Sequence, residues 1–170
     1  MAHLIDSNGF IQAKNNYYGM DFCPAYWHWL IANAQAGRVI SIDRVYTEIQ
    51  AQQDDLAQWA SGPARGLFLA SVDAATTACL PQIFTWVQTR QTAQGGQFYG
   101  HAAQNEFFGS GADPYIIAYA MAHNHIVVTC EGNDPARRNK VLIPVVCQGL
   151  NVQCITLFDM LRNEQARFVL

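Results

Sequence analysis

The chain has 170 residues, of which 51% are hydrophobic and 14% charged, with a formal net charge of −3. This composition excludes a disordered chain, and the acidic balance argues against a protein coated in basic charge for nucleic acid, leaving room for a local basic patch. The length predicts one domain, 1–170, large enough to bury a sizeable core.

No apolar run approaches the ~20 residues of a membrane span, and no basic-then-apolar leader opens the chain. The five cysteines, Cys23, Cys79, Cys130, Cys147 and Cys154, are odd in number and widely spaced. Without a CxxC pair they predict buried reduced thiols rather than a zinc site or a disulfide frame, hence a cytoplasmic location.

His3-Leu4-Ile5-Asp6 reads as a first strand ending on an acid, with Ser7 or Asn8 capping the turn that follows. Asn15 to Gly19 reads as a loop. Pro24 opens a helix carrying Tyr26, Trp27, Trp29, Leu30 and Ile31, and Gly37 stops it. Val39-Ile40-Ser41-Ile42 is a second strand. Asp43 then caps a helix whose apolar face is Val45, Ile49 and later Leu56, and Gly62-Pro63 breaks that pattern. Residues 74–90 read as a helix with a kink or restart at Pro81.

A Gln/Gly-rich loop covers 91–100, a short helix lies near 102–108, and Gly109-Ser110-Gly111 punctuates. Asp113-Pro114 predicts a helix start, with aspartate at the cap and Ile117, Ala118, Met121 and Ala122 on the inner face. Ile126 to Thr129 is an apolar strand leading into Cys130-Glu131. Val141-Leu142-Ile143 is a further extended run, Pro144 opens a short helical turn, 152–155 is the last strand, and 157–167 is a closing helix. Short β-branched strands alternating with helices indicate an α/β fold with a mainly parallel sheet covered on both faces.

Asp6, Glu48, Asp113 and Glu131 each stand near the end of a strand or the start of a helix. Parallel strands deliver their ends to one edge of the sheet, where such folds bind ligands. Taken singly, each acid has a simpler reading: Asp113 as a helix cap, Glu48 as a solvated helix residue, Asp6 and Glu131 as turn residues. Taken together, four converging carboxylates repel one another and raise their own pKa values. A hard cation with oxygen ligands relieves that, and Mg²⁺ or Mn²⁺ suits an all-oxygen site. The chemistry this favours is phosphodiester hydrolysis.

Leu4 to Asn8, Ser41-Ile42 with Val45 and Glu48-Ile49, Ala112-Asp113 with Ile116-Ile117-Ala118, and Val127 to Glu131 resemble, in order and distance, the PIN domain. The chain is similar in particular to a prokaryotic PIN-like subgroup of unassigned function, through Tyr17-Tyr18, Cys23-Pro24-Ala25-Tyr26-Trp27 and Ile143-Pro144-Val145-Val146-Cys147. The resemblance covers nearly the whole chain. It implies a three-layer α/β/α sandwich around a five-stranded sheet of order 3-2-1-4-5. It also implies a Mg²⁺- or Mn²⁺-dependent endoribonuclease, the VapC-like toxin of a toxin–antitoxin pair, with RNA as substrate and an antitoxin protein as partner. Asp6, Glu48, Asp113 and Glu131 match the family's acidic motif, with Asp6, Asp113 and Glu131 as metal ligands. Ser7 or Asn8 and Thr129 match its supporting polar residues. The last acid is usually aspartate. Here Glu131, with its longer arm, reaches the metal directly or through water, or Asp134 takes the role.

Arg137, Arg138 and Lys140 form the one dense basic cluster and are candidates for RNA phosphate contact, against a solvated loop or the docking of an acidic partner. Tyr17 and Tyr18 are candidates for base stacking. The aromatic content is compatible with a homodimer. GxSxG, P-loop and GxGxxG motifs are absent. Two other functions compete with the nuclease: a PIN-like binding scaffold without catalysis, and a receiver-like phosphorylation module. The module lacks a second acid beside Asp6 and a phospho-acceptor after the middle strand.

Overall fold

The computed structural model describes residues 1–109 and 111–168; Ser110 of the predicted Gly-Ser-Gly punctuation lies outside them. Five strands, β1 (His3–Ile5), β2 (Val39–Ile42), β3 (Phe68–Leu69), β4 (Ile126–Val128) and β5 (Cys154–Ile155), form one sheet. All neighbours are parallel, in the order β3-β2-β1-β4-β5. Leu4 stands opposite both Ile40 and Val127, Ile42 opposite Leu69, and Val128 opposite Ile155. β1 and β2 are buried at every position, as expected of parallel strands covered on both faces. The fold is α/β, and its layers form a three-layer sandwich.

The helices among the described residues are α1 (Ser7–Gln12), α2 (Pro24–Gln35), α3 (Asp43–Gln50), α4 (Asp55–Ser61), α5 (Ala74–Thr89), α6 (His101–Phe108), α7 (Asp113–His123), α8 (Ile143–Gly149) and α9 (Leu157–Asn163). A single π-type turn, Ala13–Tyr17, extends α1 where the sequence predicts a loop. α2 and α3 pack on β2, while α7 packs on β4 and collects α5, α6 and α8 around itself. Phe10, Trp27, Trp59 and Phe68 interlock in one aromatic group, with ring centroids 4.9–6.0 Å apart. Tyr26, fully buried, stacks on Tyr18 at 4.3 Å.

Several local expectations are corrected. The single helix through Val45, Ile49 and Leu56 is two: Gln53 turns left-handed at φ 53°, and Asp54 starts α4 by accepting the Ala57 amide at 3.1 Å. Asp43 does not cap α3; its carboxylate instead accepts the amide and hydroxyl of Ser71, tying the chain after β3 back to β2. α5 passes through Pro81 without the restart that the sequence allows, so the proline removes one backbone donor without ending the helix. Residues 141–143 are not a strand. Val141 and Leu142 are buried as they lead into α8, and β5 takes the place beside β4. β3, only two residues long, is too short to show a periodicity and was not foreseen. The buried residues of α7 are Pro114 and Ile116 to Ala120, because the helix lies between the sheet and α5. Gly37 ends α2 at φ +67°, a conformation that glycine adopts freely.

All five cysteines are free thiols; Cys147 is buried and the other four are half-buried. Among the described residues no helix is long and apolar enough to cross a membrane.

Candidate active site

The parallel sheet opens the carboxyl ends of β1, β2 and β4 on one edge, and Asp6 is the first residue past β1. Its backbone amide continues the ladder to the Val128 carbonyl at 2.9 Å, and its side chain has no solvent exposure. Asp6 itself, in extended backbone, is the cap of α1 that the sequence assigns to Ser7 or Asn8. Its Oδ1 accepts the Ser7 amide at 2.7 Å and the Ser7 hydroxyl at 3.3 Å. Ser7 thus supports the acid, as expected. Asn8 is half-buried and makes no side-chain hydrogen bond among the described residues.

Thr129, buried one residue past β4, links the first acid to the last. Its hydroxyl donates to Asp6 Oδ2 at 3.0 Å and accepts the Glu131 amide at 3.1 Å. A hydroxyl can do both at once. Glu131 is then held at both oxygens. Oε1 accepts from Lys140 Nζ at 2.7 Å and Oε2 from the Ile143 amide at 2.9 Å, where α8 begins. Only 7% of its side chain is exposed.

Glu48, on α3, sends Oε1 across to the Ala112 amide at 2.7 Å. Ala112 occupies the cap of α7, and Asp113 is the first helical residue, followed by Pro114. The predicted cap role of Asp113 is therefore corrected: Glu48 binds the helix start from outside, which leaves the Asp113 carboxylate without that duty.

The electrostatics bring the four acids together. Burial pushes the Asp6 carboxyl up to about 6; the Thr129 hydrogen bond opposes this, and the charges of Glu131 and Glu48 add to it. Burial pushes Asp113 further, to about 8, reinforced by Asp6, Glu131 and Glu48 and opposed by Lys140. A carboxyl that holds its proton near neutrality marks a place where negative charge is crowded and poorly solvated. The crowding is not a finished cage. Among the described residues no three His, Cys, Asp or Glu side chains are grouped closely enough to hold a metal ion as they stand.

The remaining candidates separate. Asp134 is exposed and accepts the Ala136 amide at 3.1 Å in a turn, and it is not among the charges that act on Asp6 or Asp113. Arg137 and Arg138 are exposed; Arg137 bonds Asn139 at 3.1 Å, and Arg138 lies 5.5 Å from the centre of the Phe98 ring. Lys140 turns inward to Glu131 instead of joining them. Tyr17 is exposed and meets Phe158 edge-on at 4.9 Å, just beyond β5. Tyr18 has one face committed to Tyr26, so it lies in the packing. Two residues were not foreseen. Ser41 fixes β1 from β2 by donating to the Ile5 carbonyl at 2.7 Å. Arg44 lies 3.5 Å over the Tyr115 ring, joining α3 to the first turn of α7. No local spacing signals it, because Tyr115 lies far away in sequence.

A family model described as a domain of unknown function (DUF4411) matches residues 3–168, and the chain belongs to that family. No curated protein matches the chain.

Proposed function

We propose that the protein is a Mg²⁺- or Mn²⁺-dependent endoribonuclease of PIN-like type, with Asp6, Glu48, Asp113 and Glu131 as its acidic centre. The observation that carries this reading is that Asp6 and Asp113 both hold raised pKa values, first through burial and then through the charges of Glu131 and Glu48, with Asp6 adding to the rise at Asp113. Asp6, Glu48 and Glu131 also serve local structure, but Asp113 makes no side-chain hydrogen bond among the described residues and bears their repulsion, which a divalent cation removes. The donor set is all oxygen, which fits these two ions.

Asp6 and Asp113 are the residues that would hold the metal. Asp6 Oδ1 accepts two hydrogen bonds, but Oδ2 accepts only one and keeps a lone pair, and Asp113 makes no side-chain hydrogen bond among the described residues. Mg²⁺ is commonly bound by one or two carboxylates and keeps several waters, so a preformed cage of three is not required. Glu131 has both oxygens engaged by Lys140 and Ile143 and would act on the centre through water rather than as a direct ligand. When bound, the metal supplies an activated water and charge stabilisation on the phosphate. The chain contributes the rest. Thr129 and Ser7 hold Asp6 in orientation, Glu48 positions the start of α7, and Lys140 offsets part of the negative charge. Arg137 and Arg138, exposed on the segment between Glu131 and α8, suit contact with RNA phosphates. The activity also fits the toxin of a toxin–antitoxin pair, whose antitoxin would cover this edge.

The test is cleavage of RNA by the purified protein with Mn²⁺, with chelator, and with Asp6→Asn. Cleavage that needs Mn²⁺ and is lost in the variant supports the proposal; equal cleavage by the variant overturns it. A binding scaffold without catalysis is the second reading. It is favoured by the lack of a ready three-ligand group and by the pairing of Glu131 with Lys140. Calorimetry that finds no binding at millimolar Mn²⁺ would select it.

A further inference from the structure

Beside the acidic centre lies a cavity of about 510 Å³ at the carboxyl ends of β4 and β5. We propose that this cavity is a nucleobase-binding subsite, which takes the base of a nucleotide next to the phosphate held at the acids. This rests on the nuclease reading for what it adjoins, and on its own lining for what it binds.

The cavity shares Thr129 and Glu131 with the acidic centre, so an occupant lies against the same edge. Its apolar side is formed by Pro144 at the start of α8, Val152 just before β5 and Ile155 within it. Two side-chain amides, Asn133 and Gln148, stand in its lining, exposed and without side-chain partners among the described residues. No lysine, arginine or histidine lines it. Its two carboxylates are already engaged, Glu131 by Lys140 and Ile143, Asp159 by Thr156 and Arg162.

That lining selects by chemistry. A phosphate has no cation here and would face two acids, so an anionic group is disfavoured. A metal is disfavoured as well, since most of the lining surface is apolar and both carboxylates are engaged. A flat, neutral heterocycle fits: its faces lie on apolar surface, and the edge that pairs in a duplex meets free amides carrying both donors and acceptors. Pockets for ligands of this size usually measure ~300–1,000 Å³, and the cavity falls inside that range. The apolar side contributes little base identity, so discrimination between bases falls to Asn133 and Gln148. Each amide presents donor and acceptor in a fixed plane, which separates bases by the order of groups on their edges.

The experiment uses uncharged ribonucleosides, which carry the base and no phosphate. Each of the four is titrated in chelator into isotope-labelled protein. The amide signals of Asn133, Gln148, Val152 and Ile155 are followed by NMR, with the same titrations on Gln148→Trp, which fills the cavity mouth from an exposed position, and on Asn133→Ala. The expected result is saturable shifts of these signals, tightest for one nucleoside, abolished in Gln148→Trp and levelled between bases in Asn133→Ala. Shifts that do not saturate for any nucleoside, that fall elsewhere, or that persist in Gln148→Trp overturn the proposal. So does a base preference unchanged in Asn133→Ala. No metal or cleavage enters the measurement. Loss of the nuclease reading with nucleoside binding intact is therefore distinguishable from loss of the subsite with Mn²⁺-dependent cleavage intact.

Discussion

Replacing Asp113 by asparagine should stabilise the metal-free protein near neutral pH, against the usual direction of a substitution at a half-buried polar position. In the fold its carboxyl is raised to about 8 from an ordinary 3.8, first by burial and then by Asp6, Glu131 and Glu48. Between those values the unfolded chain has lost the proton and the folded chain keeps it. The unfolded state therefore binds fewer protons, and stability falls as pH rises from the unfolded pKa towards the folded one, by about 1.4 kcal/mol per unit at most. At about pH 7.5 the accumulated cost has an upper limit of ~5 kcal/mol, which solvent screening at a half-buried carboxylate reduces to roughly 2–3 kcal/mol. Asparagine does not ionise, so Asp113→Asn removes that cost. For a chain of this length the gain in Tm is ~4–12 °C at about pH 7.5, shrinking towards zero at about pH 4. The assay is thermal melting in chelator across that pH range for both proteins. Mn²⁺ should then stabilise the wild type at the higher pH by about 2.7 kcal/mol at a hundredfold excess over Kd, and the variant much less. A variant that melts below wild type at about pH 7.5, or that keeps the wild-type pH slope, refutes the reasoning that Asp113 sits in crowded negative charge.

Asp6→Asn should abolish Mn²⁺-dependent RNA cleavage while circular dichroism stays that of the wild type; cleavage at the wild-type rate would remove Asp6 from the centre. Thr129→Val keeps the shape but leaves Asp6 Oδ2 and the Glu131 amide without their partner. At about 1–3 kcal/mol for each of the two groups, urea denaturation should show a loss of roughly 2–6 kcal/mol, and the Asp6 carboxyl should titrate still higher. Gly149→Ala would place a Cβ 2.2 Å from the Trp86 ring. The overpacking cost of about 1–3 kcal/mol should outweigh the gain of about 1 kcal/mol in helix propensity, so chemical denaturation should find the variant less stable.

Much of the fold is legible in the residues. Val39-Ile40-Ser41-Ile42 and Ile126-Val127-Val128 are continuous apolar runs, and such runs are stable only where both faces are covered, which implies parallel strands under helices. The strand order came with the family resemblance, and the sheet has that order. Phe68–Leu69 escaped notice because two residues carry no period, and Val141 to Ile143 misled because a buried approach to a helix looks like a strand in composition. The division of α3 from α4 turned on Gln53 in a left-handed conformation, which a residue other than glycine does not advertise.

For the site, the sequence by itself determined which acids stand at element ends and in what order, because strand ends and helix starts are local properties of the chain. It could not decide what each acid does there. Asp113 looked like a cap, and the tertiary structure gave the start of its helix to Glu48, 64 residues earlier. Lys140 looked like one of three rim cations, and it folds inward onto Glu131. Thr129 and Asp6 lie 123 residues apart and are neighbours only because β1 and β4 pair in register. Hydrogen-bond partners, desolvation and the charges a group feels are set by distance in space, so the roles of these carboxylates were decided by the packing of the sheet and not by their spacing along the chain.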